Sequence, residues 1–379
     1  SRLSAVMGPE MLTMFTTGRT AEPTPFFFTR YDLARMREAG RRLASVVTSR
    51  APVDIERRAV FVNNFPHAPH LAYWAAVTLS EGAAVTLVNS GVGTMGVERV
   101  LTIMERMRPT LFMGLPGYTY DLMRRAAEER RDLSSLEVVV MGGDRVTPGA
   151  REKICSMLEE MGAVEPVVTG AFGCTEMKYA WGDCGDERSA GYHTNPDMEI
   201  VEVVDPETGR VLGEGETGEL VVTNLDSRGT VVLRYRTGDI IEGGITTGRC
   251  PCCGRTMPRI SADIRRGGAG KEFALCKVKG NLVDLNAFDS VLGSNVDVLE
   301  WAVELRKRGD DPEDIDEVWV FVCPTSVGEV SGLEERIVDV MKSALELTPD
   351  RVVVSTFDEV NDKLERVGRT VRRVLDRRP

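Results

Sequence analysis

The sequence predicts an α/β protein with a large N-terminal domain of parallel sheets and helices, a small β-barrel-like part, and a small α+β C-terminal domain. Strand-like apolar runs alternate with amphipathic helical stretches in the first half. A β-rich segment begins near residue 199, and a Gly-rich charged segment precedes a last mixed part. Strands that alternate with helices are typical of a parallel sheet covered by helices.

The elements of the N-terminal half follow from apolar runs of strand length and from apolar residues at helical spacing. The predicted strands cover 59–63, 83–88, 110–114 and 136–141. The predicted helices cover 70–80, 97–107 and 118–130. Because a helix separates each strand from the next, neighbouring strands are expected to be parallel.

The second half predicts an antiparallel sheet or small barrel, followed by a separate unit. Short strands at 199–204, 218–224 and 230–235 come first, and a turn sequence, Asp-Pro-Glu-Thr-Gly, stands at 205–209. The later part predicts a helix at 286–292, strands at 298–305 and 317–323, a helix at 333–347 and a strand at 352–356.

The run Arg-Arg-Gly-Gly-Ala-Gly-Lys at 265–271 interrupts this pattern and has the composition of a linker. We therefore expect an N-terminal domain at 1–264, a hinge at 265–275 and a small mobile C-terminal domain at 276–379.

Composition disfavours several classes of protein. The chain carries 47 Lys plus Arg against 58 Asp plus Glu, so its net charge of −11 disfavours a nucleic-acid partner. No apolar run approaches the ~20 residues of a membrane span, and the N-terminus lacks the pattern of a secretory signal. We expect a cytoplasmic protein with no membrane partner. Gln is absent and charge is abundant, which indicates a thermophilic source or the codon bias of a GC-rich genome.

Two glycine-containing segments are candidates for nucleotide contacts. The loop at 14–24 is rich in hydroxyl groups, and its amides and hydroxyls can hold phosphate oxygens; the alternative is an ordinary loop. The strand at 136–141 runs into Gly142, Gly143 and Asp144, where a flat ring can approach closely. A tight turn is the alternative there.

Two further motifs carry a family resemblance. The segment Gly-Ala-Phe-Gly-Cys-Thr-Glu at 170–176 and the segment Arg-Tyr-Arg-Thr-Gly-Asp at 234–239 stand in this order. Here the sequence resembles the adenylate-forming superfamily, and within it the phenylacetate–CoA ligase-like branch. The segments at 204–209, 213–222 and 253–260 are also similar to that branch. The resemblance covers roughly residues 12–290, and the C-terminal part loosely.

The resemblance implies ATP and AMP as ligands and roles for individual residues. Glu176 would bind Mg²⁺, Thr175 would contact phosphate, and Asp239 would accept hydrogen bonds from the ribose hydroxyls. Other nucleotide contacts are implied for the loop and strand-end residues Thr16, Thr17, Gly18, Arg19, Thr20, Gly142, Gly143, Asp144, Ala171, Phe172, Gly173 and Arg259. The alternative interpretation makes Glu176 an acid at a helix start and Asp239 a turn residue.

The sequence departs from the family pattern at two places. Arg19 and Ala21 replace a hydroxyl residue and a Gly of the phosphate loop, and Ala is disfavoured where positive φ is needed. Near the C-terminus, Arg369 stands where the family has a Lys that bridges acid and α-phosphate. Arg keeps the charge with different geometry, and Lys363 is a candidate substitute.

The cysteines predict a structural zinc site. Cys250 and Cys253 form a Cys-x-x-Cys-Gly knuckle, and Cys184 and His193 precede it in a loop-rich stretch. Four such ligands suit a closed tetrahedral site, and relatives in this branch have similar positions that bind zinc. We expect this site within the β-rich part at about 184–260, with Cys252 as the reserve ligand. Free surface thiols are the alternative.

The resemblance also implies residues that line the acid pocket. The candidates are His67, His70, Trp74, Tyr118 and Trp181. If these rings line the pocket, they favour an aromatic or planar acid; the alternative is that they build the core.

The leading functional hypothesis is therefore an AMP-forming ligase that activates a carboxylic acid with ATP and transfers the acyl group to CoA. In that hypothesis the C-terminal domain rotates between the two steps, and a homodimer is expected from the relatives. A second hypothesis is an adenylate-forming enzyme that does not use CoA. A third is a non-catalytic, zinc-stabilised nucleotide or acid sensor.

Overall fold

The computed structural model describes residues 12–16, 24–51, 59–67, 71–83, 85–92, 94–144, 146–185, 191–266, 275–285, 287–293, 295, 297–325, 331–367 and 370–379. The described residues up to 266 form one compact unit and those from 275 onwards form another. In these ranges no helix combines the length and the hydropathy that crossing a bilayer requires.

The larger unit contains the α/β part of the chain. Its strands are β1 (Leu12–Thr16), β2 (Thr24–Phe28), β3 (Val60–Asn63), β4 (Thr86–Asn89), β5 (Leu111–Gly114), β6 (Val138–Gly142), β7 (Val167–Gly173), β8 (Ala180–Gly182), β9 (Tyr192–His193), β10 (Glu199–Val204), β11 (Gly218–Asn224), β12 (Tyr235–Ile241), β13 (Ile245–Thr246), β14 (Arg259–Ile260) and β15 (Ile264–Arg266). Its helices are α1 (Arg30–Val47), α2 (Leu71–Ala83), α3 (Val97–Met107), α4 (Pro116–Glu128) and α5 (Pro148–Glu160).

Nine strands of the described chain form one large sheet in the order β13-β14-β9-β8-β7-β6-β5-β3-β4. Strands β4, β3, β5, β6 and β7 are parallel, whereas the pairs from β7 to β13 are antiparallel. The α/β class with a parallel sheet is thus confirmed. Because the carboxyl ends of parallel strands share one edge, the residues that follow β6 and β7 lie side by side.

Helices cover both faces of the parallel part, and strand β6 shows why. Val139 and Met141 pack with α3, α4 and α5 on one face, whereas Val138 and Val140 pack with α1 and α2 on the other. A strand that is apolar on both faces needs cover on both sides. The helix predicted at 70–80 is α2, which extends to Ala83, so the next strand begins only at Thr86.

Helix α1 has a start signal that apolar alternation does not detect. Thr29 is its N-cap, and the Thr29 and Asp32 side chains each bond the other's backbone N–H in a capping box. This Thr-x-x-Asp spacing is a sequence signature of a helix N-terminus.

A second, four-stranded sheet follows, in the order β10-β11-β12-β15, and all its pairs are antiparallel. The strand predicted at 230–235 is wrong, because β12 begins only at Tyr235. Thr230 instead exchanges hydrogen bonds with Phe27 through its N–H and Oγ1, both at 2.9 Å, and the Val232 N–H donates to Asn224 Oδ1 at 2.9 Å. These contacts replace a strand ladder over 230–234.

The smaller unit is an α+β structure. Its elements are β16 (Leu275–Val278), β17 (Asn281–Asp284), β18 (Val298–Lys307), β19 (Asp316–Pro324), α6 (Leu333–Leu345), β20 (Arg351–Val354), α7 (Phe357–Asn361), β21 (Glu365–Val367), β22 (Thr370–Arg372) and β23 (Val374–Asp376). Its main sheet has the order β20-β19-β18-β23, and α6 contributes Leu333, Ile337 and Met341 to the core. The helix predicted at 286–292 coincides with a π-helical turn, Asp289–Gly293.

Candidate active site and metal centre

The motifs at 170–176 and 234–239 meet in the larger unit. Tyr235 Oη, at the start of β12, donates a hydrogen bond to Glu176 Oε1 at 3.1 Å, although 59 residues separate the two in sequence. Asn224 Nδ2 on β11 donates to the backbone carbonyl oxygens of Glu176 and Met177 at 3.3 and 3.4 Å. These contacts fix the turn that follows β7 against the antiparallel sheet.

The glycines at the end of β6 allow the backbone of β7 to approach closely. Gly142 pairs with Ala171, and a Cβ on Gly142 would lie 2.8 Å from the Ala171 carbonyl oxygen. Gly143 has φ +85°, and a Cβ there would lie 2.8 Å from Leu115 Cδ2. Gly142, Gly143 and the following Asp144 therefore lie at the same sheet edge as Ala171.

Phe172, at the end of β7, is half-buried between two aromatic rings. Its centroid lies 5.8 Å from that of Trp181 and 5.9 Å from that of Tyr192, with interplanar angles of 32° and 31°. Phe172 and Trp181 are opposite each other in the β7–β8 pair. The Phe172 ring therefore packs beside two other rings, next to the exposed Gly173.

Both carboxylates of the motifs lie near Cys174. Desolvation, and then the negative charges of Glu176 and Asp239, raise the pKa of the Cys174 thiol well above its usual value. Thr175 is buried, and the Asp239 N–H donates to Thr237 Oγ1 at 3.1 Å. Residues 175, 176 and 239, which the sequence assigns to one nucleotide, thus belong to neighbouring segments.

The predicted acid-pocket residues have different environments. His67 Nδ1 lies 3.3 Å from Thr94 Oγ1, and its ring meets the edge of Tyr73 at 4.9 Å. Tyr73 in turn contacts Trp74 at 5.7 Å. Tyr118 packs against the core between the sheet and α1 and α2, and Trp181 is only 1% exposed.

Several predicted residues lie outside the described ranges or in the smaller unit. Thr17, Gly18, Arg19, Thr20, His70 and Arg369 lie outside the described residues, whereas Thr16 ends β1. Lys363 belongs to the smaller unit, where its Nζ lies 3.7 Å from Glu304 Oε1 and 3.9 Å from the centre of the Phe321 ring. Val367 and Thr370, on either side of residues 368 and 369, are paired in the β21–β22 hairpin.

The four predicted zinc ligands form one cluster. The ligand atoms of Cys184, His193, Cys250 and Cys253 all lie within 4.8 Å of one another. The Sγ atoms of Cys184 and Cys250 are 3.9 Å apart, and Cys253 Sγ is 3.5 Å from His193 Nε2. Tetrahedral zinc with ordinary Zn–S and Zn–N lengths needs edges of about 3.8 and 3.5 Å. The spacing therefore fits such an ion.

The electrostatics of the cluster also suit a metal ligand set. Burial raises the pKa of the Cys250 thiol, but hydrogen bonds from the Cys253 and Cys252 N–H groups and from the neighbouring thiols leave it below the ordinary value. Burial, followed by the charges of Arg259 and Arg255, lowers the pKa of His193 to about 4. A thiolate and a neutral imidazole are the forms that bind metals.

Arg259 lies beside this cluster. It is buried on β14, opposite His193 in the β14–β9 pair, and its Nη1 donates to the Gly248 carbonyl at 3.2 Å. The family resemblance implies that Arg259 contacts the nucleotide; in the structure Arg259 lies beside the candidate metal ligand His193.

Two buried acids near the site were not identified from the sequence. Asp183 Oδ2 accepts from the Gly170 N–H at 2.8 Å and from Arg151 Nη2 at 2.5 Å, so it ties β7 to the residue before Cys184. Glu199, at the start of β10, accepts from Trp181 Nε1. Other acids stand close to each of them in sequence, so no spacing pattern distinguishes the buried acid from its neighbours.

Comparison with known proteins identifies relatives of the chain. A model of the family described as AMP-binding enzyme matches residues 11–226. The phenylacetate–coenzyme A ligase of Thermus thermophilus is 30% identical over 256 residues, which cover 66% of this chain and 53% of that protein. The phenylacetate–coenzyme A ligase of Escherichia coli is 27% identical over 245 residues, 60% of this chain and 48% of that protein. The chain spans about half the length of these curated relatives.

Solved structures share the fold. A 2-hydroxyisobutyryl-CoA ligase in complex with 2-HIB-AMP and CoA aligns with a TM-score of 0.77 over 97% of this chain and 74% of that one, at 21% identity. An amide bond synthetase from Marinactinospora thermotolerans aligns with a TM-score of 0.60 over 90% of this chain and 65% of that one, at 21% identity. Since the family model matches more than half of the chain, the protein belongs to the AMP-binding enzyme family, the adenylate-forming superfamily that its motifs resemble.

Proposed function

We propose that this chain activates a carboxylic acid with ATP, forming an acyl-adenylate, and then transfers the acyl group to CoA. Family membership supports the first half of the proposal. The observation that carries it is the hydrogen bond of 3.1 Å between Tyr235 and Glu176, because it joins the two motifs that are expected to serve one nucleotide.

In this proposal the carboxylate of Glu176 holds Mg²⁺. A half-buried carboxylate at the sheet edge, oriented by Tyr235, offers the oxygen ligand that this cation prefers. Bound Mg²⁺ would neutralise phosphate charge as the acid attacks the α-phosphate and pyrophosphate leaves. Thr175 contacts phosphate, and the Asp239 carboxylate accepts hydrogen bonds from the ribose hydroxyls.

The adenine ring is assigned to the sheet edge between β6 and β7. Gly143 is exposed there, and Phe172 offers a half-buried ring. The acid is assigned to the aromatic side chains near His67 and Trp74, and T-shaped ring contacts there favour an aryl acid.

We assign structural zinc to Cys184, His193, Cys250 and Cys253. Three thiols and one imidazole complete a tetrahedral set without an open position, so the ion would tie loops together rather than bind substrate. The ligands Cys184 and His193 are close in sequence to Trp181 and Tyr192, the two residues whose rings pack against Phe172.

A second candidate function keeps the adenylate chemistry but not CoA. Arg369 stands where the superfamily carries Lys, and Arg differs from Lys in geometry and hydration. The adenylate, or an adenylylated cofactor, would then be released or passed to a partner enzyme.

The test is exchange of labelled pyrophosphate into ATP, with Mg²⁺, across a panel of aryl and alkyl acids. We expect exchange with an aryl acid. We expect Glu176→Gln to lower it about a hundredfold or more, the scale of losing one transition-state electrostatic contact, while ATP binding persists. The exposed Glu152 on α5 provides the matched control, and Glu152→Gln should leave exchange unchanged.

Two outcomes would redirect the proposal. If folded protein binds ATP but exchanges pyrophosphate with no acid, the non-catalytic sensor becomes the better account. If exchange occurs but added CoA yields no acyl thioester, the CoA-independent enzyme replaces the leading proposal.

A further inference from the structure

Glu199 is a buried acid with an unusual set of contacts. It is 1% exposed, and its Oε1 accepts from the Trp181 indole N–H and from the Asn195 N–H, the latter at 3.0 Å. Within the described part of the chain, the buried Oε2 has no hydrogen-bond partner. A buried polar atom without a partner is costly, so a functional reason for keeping the acid is expected.

The contacts of Glu199 reach the candidate nucleotide edge by two routes. Its side chain holds Trp181, which lies opposite Phe172 in the β7–β8 pair and 5.8 Å from the Phe172 ring. Its backbone pairs with Asn224, whose side chain donates to the carbonyl of Glu176. Glu199 thus contacts Trp181, which packs against Phe172, and it also pairs with Asn224, which hydrogen-bonds to Glu176. It is therefore linked to both Phe172 and Glu176 in the motif at 170–176.

The hydrogen bond from Trp181 to Glu199 adds a directional constraint to the packing of the indole. Close packing restricts the buried indole, but dispersion contacts have little direction, whereas the N–H bond to Oε1 favours one orientation. The Phe172 ring packs against Trp181 and Tyr192, so the orientation of the indole bears on the position of the Phe172 ring.

We propose that Glu199 is a positioning residue, which fixes the Trp181 indole beside Phe172 and so sets the position of the ring against which the nucleotide base lies. This inference rests on the proposed function, because it takes the base to contact Phe172. Glu199 acts through Trp181 and touches no reacting atom.

Four variants test the inference, with ATP as the probe and calorimetry as the measurement. Glu199→Gln keeps an oxygen acceptor and should bind ATP within about twofold of the parent protein. Glu199→Ala and Trp181→Phe each break the hydrogen bond and should weaken ATP binding about tenfold. Because both break the same bond, the double variant should be no weaker than the worse single one. Asp121→Asn, at a buried acid on α4, is the control and should bind as the parent does.

A second readout separates positioning from general destabilisation. The difference in emission between the parent and Trp181→Phe isolates one of the four tryptophans. This Trp181 component should shift to longer wavelength in Glu199→Ala and remain in Glu199→Gln. In the exchange assay, Glu199→Ala should raise the KM for ATP about tenfold and change kcat less than threefold.

The outcomes distinguish this inference from the proposed function. Folded Glu199→Ala with unchanged ATP affinity and unchanged Trp181 emission would overturn the positioning role, as would additive effects in the double variant. ATP binding without exchange in the parent protein would reject adenylation, and the affinity ratios would still decide the role of Glu199. If the parent binds no ATP, the assignment of the base to Phe172 is rejected as well, and the positioning role falls with it.

Discussion

At the scale of single residues, Asp32 joins three separated segments of the larger unit. Its carboxylate accepts from the Thr29 N–H and Oγ1 at 2.8 and 2.7 Å, from the Arg228 and Gly229 N–H groups at 2.9 Å, and from Lys178 Nζ at 2.9 Å. Both charged side chains of the Asp32–Lys178 pair are fully buried. Burial opposes ionisation of Asp32, but the Thr29 N–H and the Lys178 charge lower its pKa.

Removing Asp32 should lower the free energy of unfolding more than removing Lys178. Among the described residues, Asp32→Ala leaves the buried Lys178 ammonium with only the Phe27 carbonyl at 3.4 Å and the Phe28 ring, so we expect a loss of about 3–5 kcal/mol of unfolding free energy. Lys178→Met leaves a carboxylate that keeps its backbone donors, so we expect about 1–3 kcal/mol. Denaturant unfolding measures both.

The exposed pair Arg37–Glu81 provides the control for this prediction. Its side chains are 51% and 43% exposed, and Glu81→Ala should change stability little because exposed pairs contribute little. A loss in Lys178→Met as large as in Asp32→Ala would contradict the asymmetry.

At the scale of elements, the Cys-His cluster connects short strands that have few contacts of their own. Cys184 follows β8, His193 ends β9, and Cys250 and Cys253 stand in the turn before β14. Strands of two or three residues form few ladder bonds. A bound ion would therefore supply much of the local stability.

Replacing single cysteines should show that Cys253 binds the ion and that its neighbour Cys252 does not. Cys253→Ser should lose bound zinc, whereas Cys252→Ser should keep one ion per chain, because Cys253 and not Cys252 belongs to the cluster. If the ion contributes about 3 kcal/mol, Cys253→Ser and chelator treatment should lower the Tm by roughly 6–12 °C. Metal analysis and thermal unfolding measure these effects. Zinc retained in Cys253→Ser and lost in Cys252→Ser would reverse the assignment.

At the scale of the whole molecule, acids outnumber bases by 58 to 47, so the pH dependence of stability depends on which carboxyls are buried. Burial raises the pKa of Glu199 to about 7, although hydrogen bonds from Trp181 and Asn195 oppose the shift. Its ordinary value is 4.5. Between these values the folded chain binds more protons at this group than the unfolded chain does.

Stability should therefore fall as pH rises through this window. The pKa of Glu199 is raised on folding, so its neutral form favours the folded state at low pH, and this advantage is lost between the ordinary value of 4.5 and about 7. Glu199→Gln does not titrate. Relative to that variant, the parent protein should lose on the order of 3 kcal/mol of unfolding free energy across the window. Denaturant unfolding at several pH values measures the difference, and parallel curves for the two proteins would contradict it.

Some helices and strands that are indicated by a regular local spacing of apolar residues have the same bounds in the sequence prediction and in the structure. Helix α3 and strands β10 and β11 have the predicted bounds, because their apolar spacing is regular and uninterrupted. The segment at 230–235 shows the limit of this signal. Its apolar residues resemble a strand, but Phe27, which is distant in sequence, and the side chain of Asn224 take its hydrogen bonds.

The sequence by itself determined the α/β order, indicated the chemistry proposed for the motifs, and selected Cys184, His193, Cys250 and Cys253, which the structure brings together as a possible ligand set. These depend on residue type and short spacing, which a linear chain displays directly. Only the tertiary structure decided that Tyr235 hydrogen-bonds to Glu176, that the Trp181 indole donates to Glu199, and that Lys178 pairs with Asp32. Such contacts join residues far apart in sequence, and packing of whole elements against one another brings them together.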